Sequence, residues 1–284
     1  MDLLTDPRGR ERLYAARSLP AAMPLDLVGS ALISLVLCGV LSGLAYKRAV
    51  LSLDGTLAAF GVGMVIGVLG DVTWLLLLLF FLLSSFLATR YRFALKEAMG
   101  VQEGARGERR AANVLANGFA PMAVAVLSAL DLEALPKGVS GILFLSALAS
   151  AGADTLASEI GVLSRRVRLI TTFEKVPPGT DGGISALGEL CALGAALYTA
   201  VVGWFALSFL ADAYGLLRTM PASTTFILIP IVTGFLGCQI DSVIGATLER
   251  RGLVGKMTNN LVSTSTAGAL GFVLLQAWGA FTPA

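Results

Sequence analysis

Apolar runs, each closed by a short polar or basic stretch, fill the chain from about residue 25 to its end. They occupy about 25–45, 56–70, 72–89, 111–130, 138–161, 183–211, 222–247 and 259–280. A bilayer takes about 20 apolar residues to cross as helix. The pattern therefore predicts an all-α polytopic membrane protein with about seven to eight transmembrane helices, some short or broken. The second run is short. At about 1.5 Å per residue it reaches roughly 22 Å, less than a hydrocarbon core. It carries Gly61, Gly63, Gly67 and Gly70, and glycines spaced like Gly63 and Gly67 let helix backbones approach closely. The fifth run is expected to break near Gly152, where a polar block begins.

Composition agrees with the pattern. Of 284 residues, 56% are hydrophobic and 14% charged, against about 25% charged in soluble domains. Residues 1–24 read as a polar N-terminal tail or interfacial helix carrying Arg8, Arg10, Arg12 and Arg17, with no cleavable signal peptide. Residues 25–284 read as one transmembrane catalytic domain. With eight crossings, 15 of the 21 basic residues fall on one side, from Lys47 and Arg48 to Arg250, Arg251 and Lys256. The positive-inside rule makes that side cytoplasmic. The arginines of the tail then lie outside, a conflict that an odd number of crossings or a re-entrant segment removes.

The polar residues gather at the cytoplasmic ends of the spans. Asp54 opens the second. Arg109, Arg110, Asn113 and Asn117 lead the fourth, and Asp154, Ser158 and Glu159 end the fifth. Thr172 and Lys175 precede the turn Pro177-Pro-Gly-Thr-Asp-Gly-Gly183, Asp241 lies in the seventh span, and Asn259 and Asn260 open the eighth. Carboxylates in or near hydrocarbon are costly unless paired, hydrated or bound to a cation. On a regular helix Asp154 and Glu159 stand about 140° apart. Either the helix breaks between them or Glu159 pairs elsewhere, for instance with an arginine of 165–168; a purely structural ion pair is the plain alternative. Asp181 has a plain reading too, as N-cap of the sixth helix. Gly179, Gly182 and Gly183 around it offer backbone N–H groups to an anion, although no GK[ST] follows and the turn is not a Walker A loop.

There is no histidine, which removes the commonest general base and transition-metal ligand. The cysteines Cys38, Cys191 and Cys238 lie in apolar segments without CxxC spacing, so neither a zinc site nor a disulfide framework is expected. Oxygen ligands favour Mg²⁺, or Mn²⁺ in its place. Carboxylates, basic residues and glycine-backed amides suit phosphoryl or nucleotidyl transfer. A phosphate acceptor is already largely ionised at neutral pH and needs no strong base. Nothing in the chain points to nucleic acid, and nothing sets an oligomeric state.

Six blocks carry a resemblance: Leu51-Ser-Leu-Asp-Gly55, Ala112-Asn-Val-Leu-Ala-Asn-Gly118, Ala153-Asp-Thr-Leu-Ala-Ser-Glu-Ile-Gly161, Arg168-Leu-Ile-Thr-Thr172, Val176-Pro-Pro-Gly-Thr-Asp-Gly-Gly-Ile-Ser185 and Asp241-Ser-Val-Ile-Gly245. From about residue 40 to 275 the chain resembles the integral membrane family that includes the phytyl-phosphate kinase of tocopherol synthesis and an uncharacterised transmembrane branch. Leu156 stands where that family often has Trp. The resemblance implies transfer of the terminal phosphoryl group of a nucleoside triphosphate, CTP favoured, to an isoprenyl (phytyl- or geranylgeranyl-type) monophosphate.

On this reading Asp154, Glu159 and Asp181 hold the metal and triphosphate, with Asp241 as a further ligand. Asp54, Arg109, Asn113, Asn117, Ser158, Thr172, Lys175, Gly179, Thr180, Gly182, Gly183 and Asn260 bind substrate or nucleotide. Two alternatives stand beside the kinase: a CTP-dependent lipid nucleotidyltransferase, and a membrane transporter.

Overall fold

The computed structural model describes residues 27–102, 108–132, 135–214 and 216–278. The N-terminal stretch read as a tail lies outside the described residues. Nine α-helices are found among those described: α1 (Leu27–Lys47), α2 (Leu53–Val65), α3 (Val72–Arg90), α4 (Phe93–Ala98), α5 (Ala111–Ala129), α6 (Lys137–Gly161), α7 (Ala186–Trp204), α8 (Leu228–Ile244) and α9 (Lys256–Ala277), apart from a single turn at Ala211–Tyr214 that prolongs α7. Three of them run on through a wider π turn: α2 through Ile66–Gly70, α7 through Phe205–Leu210 and α8 through Gly245–Glu249.

Seven helical segments among the described residues are long and apolar enough to cross a bilayer. They correspond to the first seven runs of the sequence. The eighth run does form a 22-residue helix, α9, but it is not one of the seven. Its first half buries Asn259, Asn260, Ser263 and Thr264 against the rest of the bundle, which lowers its hydropathy without removing it from the interior.

The centre of the bundle is α6, with 89% of its apolar window buried. It packs against α3, α5, α7, α8 and α9. Lipid tails are as apolar as leucine, so association here rests on close van der Waals contact and on hydrogen bonds. The sequence of α6 supplies both. Its small residues meet glycines of the surrounding helices: Ala149 faces Gly234, Ser150 faces Gly237, Ser146 faces Gly271, and Leu145 fills the notch at Gly203. At the other end Trp74 of α3 stacks on Phe144, with ring centroids 4.4 Å apart, and its indole N–H donates to Thr219 Oγ1 at 3.0 Å.

The expected break at Gly152 does not occur; α6 is continuous for 25 residues. Gly152 is buried with Phe81 and Thr199 nearby, and neighbouring helices support an interior glycine there. The glycines of the second run act as read. A Cβ on Gly67 would meet Ser34 of α1, and one on Gly63 would meet Cys38.

Among the described residues the one sheet lies between α6 and α7. Strands β1 (Val167–Leu169), β2 (Lys175–Val176) and β3 (Gly183–Ile184) form an antiparallel sheet in the order β2-β1-β3. This small sheet is the basic loop and glycine-rich turn of the sequence. It caps the end of α6.

Backbone contact at Gly234 makes a direct test. A Cβ there would lie 2.6 Å from Ala149 Cβ and 3.0 Å from its carbonyl carbon, whereas Gly194 has nothing within 4 Å. Gly234→Val should lose roughly 1–3 kcal/mol and melt several degrees lower in detergent. Gly194→Ala should melt no lower than the parent. Equal melting of both variants would contradict the close packing described for α6.

Candidate active site

At the end of α6 that carries Asp154 and Glu159, a cavity of about 400 Å³ opens between α6, the sheet, α7 and α8. Most of its wall comes from four parts of the chain. The last turns of α6 give Asp154, Ser158 and Glu159. The turn 177–183 gives Gly179, Thr180, Asp181, Gly182 and Gly183. Gly188 and Glu189 come from α7, and Cys238, Asp241, Gly245 and Glu249 from α8 and its π turn. Lys256 at the start of α9 and Gln102 after α4 also line it.

Local geometry explains why these pieces meet. Ser185 caps α7, its Oγ accepting from Gly188 N at 3.1 Å, and the same hydroxyl donates to the Gly161 carbonyl at 3.3 Å. One serine thus joins the end of α6 to the start of α7, and the cap role suggested for Asp181 belongs to Ser185. Asp181 stays at the cavity, exposed, between Thr180 and Gly182. Gly182 has φ +71°, and a Cβ on it would lie 2.3 Å from the Ala246 amide nitrogen. Only glycine combines that left-handed backbone with contact against the π turn of α8.

The carboxyl groups of Asp154 and Asp241 lie within hydrogen-bonding reach of each other. Ser263 of α9 donates to Asp241 Oδ1 at 3.1 Å, and Asn259 Nδ2 donates to the Asp241 carbonyl at 3.0 Å and to Glu249 Oε2 at 3.2 Å. Glu249 is electrostatically coupled to Asp181, Asp154 and Lys256. Two carboxylates this close repel each other unless they share a proton or a cation lies between them.

Glu159 has a different fate. Lys96, fully buried on α4, donates to Glu159 Oε2 at 2.5 Å and to the carbonyls of Ala88 and Thr89 at 3.1 and 2.7 Å. Thr89 Oγ1 donates to Glu159 Oε1 at 2.8 Å. All three ammonium protons are used, and each carboxylate oxygen accepts a bond. Glu159 is therefore held by Lys96, not by an arginine of 165–168, and as a metal ligand it leaves the expected set. Among the described residues no three of His, Cys, Asp and Glu are placed to share one metal ion. The oxygen pair Asp154 and Asp241 still fits Mg²⁺, which is commonly held by one or two carboxylates with the remaining positions filled by water and substrate phosphates.

Other expected residues sit elsewhere. Asp54 Oδ2 accepts from Ala111 N at 3.1 Å, its Oδ1 accepts from Ser52 Oγ at 2.6 Å, and Arg109 pairs through its backbone with Val50 and Ser52. Arg109, Asn113 and Asn117 line a separate void of about 20 Å³ between α2, α3 and α5. This second polar cluster ties α2 to α5 and does not reach the main cavity. Thr172 and Lys175 lie exposed on the outer hairpin, away from the cavity wall. Asn260 is buried in α9, where its carbonyl accepts from Ser263 and Thr264. The Gly183 amide is committed to the Thr180 carbonyl at 2.9 Å, so it drops out as a phosphate donor.

Glu189, Glu249, Lys256 and Gln102 line the cavity and were missed from sequence. Glu249 carried a signal: Asp241, Gly245 and Glu249 recur every four residues, one helix face with a glycine between two acids. The others carried none, since only the fold brings them near.

Comparison with known proteins gives a consistent picture. Residues 36–276 match the family described as integral membrane protein DUF92. An uncharacterized membrane protein of Methanocaldococcus jannaschii is 31% identical over 243 residues, 85% of this chain and 93% of that protein. Protein PGR of Arabidopsis thaliana is 32% identical over 237 residues, 77% of this chain and 79% of that protein. Chloroplastic protein VTE6 of the same plant is 33% identical over 165 residues, 55% of this chain and 47% of that protein. No solved structure matches.

The ion pair gives a stability prediction. Lys96→Met leaves Glu159 buried without its cation and should cost about 3–5 kcal/mol. Adding Glu159→Gln should recover a good part of that loss. Thermal unfolding in nanodiscs measures both; a double variant as unstable as the single one would remove Lys96–Glu159 as a coupled pair.

Proposed function

This chain belongs to the DUF92 family of integral membrane proteins, and on that premise we propose that it is a membrane kinase that phosphorylates an isoprenyl monophosphate from a nucleoside triphosphate. One observation carries the reading: Asp154, Asp241 and the Asp181 turn, far apart in sequence, line one cavity at a single end of the spans. The resemblance of the same blocks to the phytyl-phosphate kinase of tocopherol synthesis supports the acceptor class. CTP is the donor to test first.

The lining is strongly acidic. With Glu159 neutralised by Lys96, it presents Asp154, Asp181, Glu189, Asp241 and Glu249 against Lys256. A triphosphate does not enter such a cavity unaccompanied, because like charges in a poorly hydrated site repel strongly. Asp154 and Asp241 would hold Mg²⁺, which when bound neutralises phosphate oxygens and draws charge from the leaving group. Ser263 and Asn259 fix Asp241 in place. Lys256 is placed to contact a phosphate oxygen. Asp181 is positioned on a turn whose shape Gly179 and Gly182 set, both with positive φ.

An acceptor phosphate needs no protein base here, which accommodates the absence of histidine. Its oxygen attacks the γ-phosphorus, the bond to the β-bridging oxygen breaks, and a nucleoside diphosphate leaves. The acceptor's lipid tail stays in the bilayer. By charge distribution the cavity faces the cytoplasm.

Asp154→Asn and Asp241→Asn should each lower turnover by at least about 10²-fold, the scale on which loss of one electrostatic stabiliser acts, while the variants remain folded. Purified protein with Mg²⁺, each nucleoside triphosphate and a panel of prenyl phosphates provides the assay, with products identified by mass. A nucleoside diphosphate and a prenyl diphosphate are expected. Pyrophosphate with a nucleotidyl lipid would mean nucleotidyl transfer instead. Unchanged turnover in both variants would remove the two aspartates from the site.

A further inference from the structure

The β1–β2 hairpin buries Val167 and Leu169 and exposes Arg168 between them. The residue directly across the ladder from Arg168 is Lys175, also exposed. Like charges directly opposite each other in an antiparallel pair are destabilising. Among the described residues neither forms an ion pair. The acid nearest in sequence, Glu174, pairs through its backbone with Leu169 and forms no ion pair either. Arg165 and Arg166, both exposed, bring the cations between residues 165 and 175 to four. Neither Arg168 nor Lys175 lines the cavity, so the cavity does not supply their counter-charge.

The tip of the hairpin carries a second feature. Phe173 N donates to the Leu169 carbonyl at 2.9 Å, and Arg168 Nη1 donates to the Phe173 carbonyl at 2.7 Å. Phe173 sits between these bonds at φ +58°, a left-handed backbone that is uncommon for a bulky residue. The residue is 61% exposed. The hairpin thus ends in an aromatic ring held out from the protein, beside two cations that face each other.

We propose that this hairpin docks on the bilayer surface on the cavity side, its cations binding the phosphate groups of anionic phospholipids and the Phe173 ring entering the interface. Charge complementarity makes the lipid anionic, since basic residues just beyond a span are drawn to anionic headgroups. The ring selects a membrane over a dissolved anion. A free phosphate would offset the charges and leave Phe173 in water, whereas the bilayer interface takes an aromatic ring and meets cations with phosphate at the same depth. The bilayer is also already at hand, because Arg165 lies four residues after Gly161, the last residue of α6. Docking would steady one wall of the cavity: β1 contributes Val167 to the lining, and β3, paired with β1, contributes Gly183 and Ile184.

The test reads the depth of the tip, with full-length Phe173→Trp protein in nanodiscs of phosphatidylcholine, alone or mixed with phosphatidylglycerol. Lipids brominated near the headgroup quench an indole at the interface. Subtraction of the parent, which carries Trp74, Trp204 and Trp278, isolates the added one. In the mixed nanodiscs the added indole should be quenched, and in phosphatidylcholine alone much less. Arg168→Gln and Lys175→Gln should each lower the docked-to-free ratio about fivefold, the effect of one basic residue at an anionic leaflet. Both variants should melt within about 2 °C of the parent in phosphatidylcholine, as exposed substitutions do. Absence of quenching in both lipids overturns the proposal and leaves the hairpin to water or a protein partner. Equal quenching in the two lipids overturns the headgroup assignment. Release of the tip by inorganic phosphate, but not by sodium chloride of the same ionic strength, gives the cations to a free anion and overturns it too. A variant that melts several degrees lower in phosphatidylcholine makes its cation structural, with the same result.

Discussion

A carboxylate at the end of a membrane helix must be compensated, and α6 carries two that meet this constraint in opposite ways. Glu159 is compensated from within the protein. Lys96 reaches it from α4 and satisfies the last carbonyls of α3 at the same time. Asp154, five residues earlier, lies beside another acid, Asp241, on the cavity wall. The first is an ion pair inside the protein. The second sets two acids side by side on the cavity wall, an arrangement that a proton or a cation between them favours. This difference separates an acid paired within the protein from one that lines the cavity beside another acid, in what the sequence presents as a single polar block.

Small residues make the contrast geometrically achievable. Because α6 meets its neighbours through glycine, alanine and serine, the helices lie close along their apolar length. From Asp154 onward the last turns of α6 border the cavity, and there the turn 177–183 forms part of its wall. Gly182 against the π turn of α8 and Gly161 against Gly188 of α7 fix how near the loop and helix ends come. The cavity is thus a consequence of where tight packing stops.

The legible part of this structure was what periodicity and apolar length encode. The spans stand within a few residues of their expected bounds, and the convergence of polar residues at one end follows from helix ends sharing a membrane face. Two things were not legible. A break is expected near Gly152 because the polar block begins there, yet α6 is continuous through it, with Phe81 and Thr199 beside the glycine. The division of the polar residues into two clusters also escaped, because Asp54 and Arg109 have the same chemistry as the cavity residues and differ only in which helices they join. Lys96 looked like one more loop cation; its burial depends on a turn at Tyr91–Arg92 that no local motif announces.

The central claim is that the Asp154–Asp241 pair is built to share a divalent cation with a triphosphate. Electron paramagnetic resonance of Mn²⁺ titrated into the protein in nanodiscs, with and without CTP, tests it most directly. The account predicts that CTP sharply increases the Mn²⁺ bound by wild type and leaves the Asp154→Asn/Asp241→Asn protein unchanged. Equal Mn²⁺ binding by both proteins in the presence of CTP would contradict it.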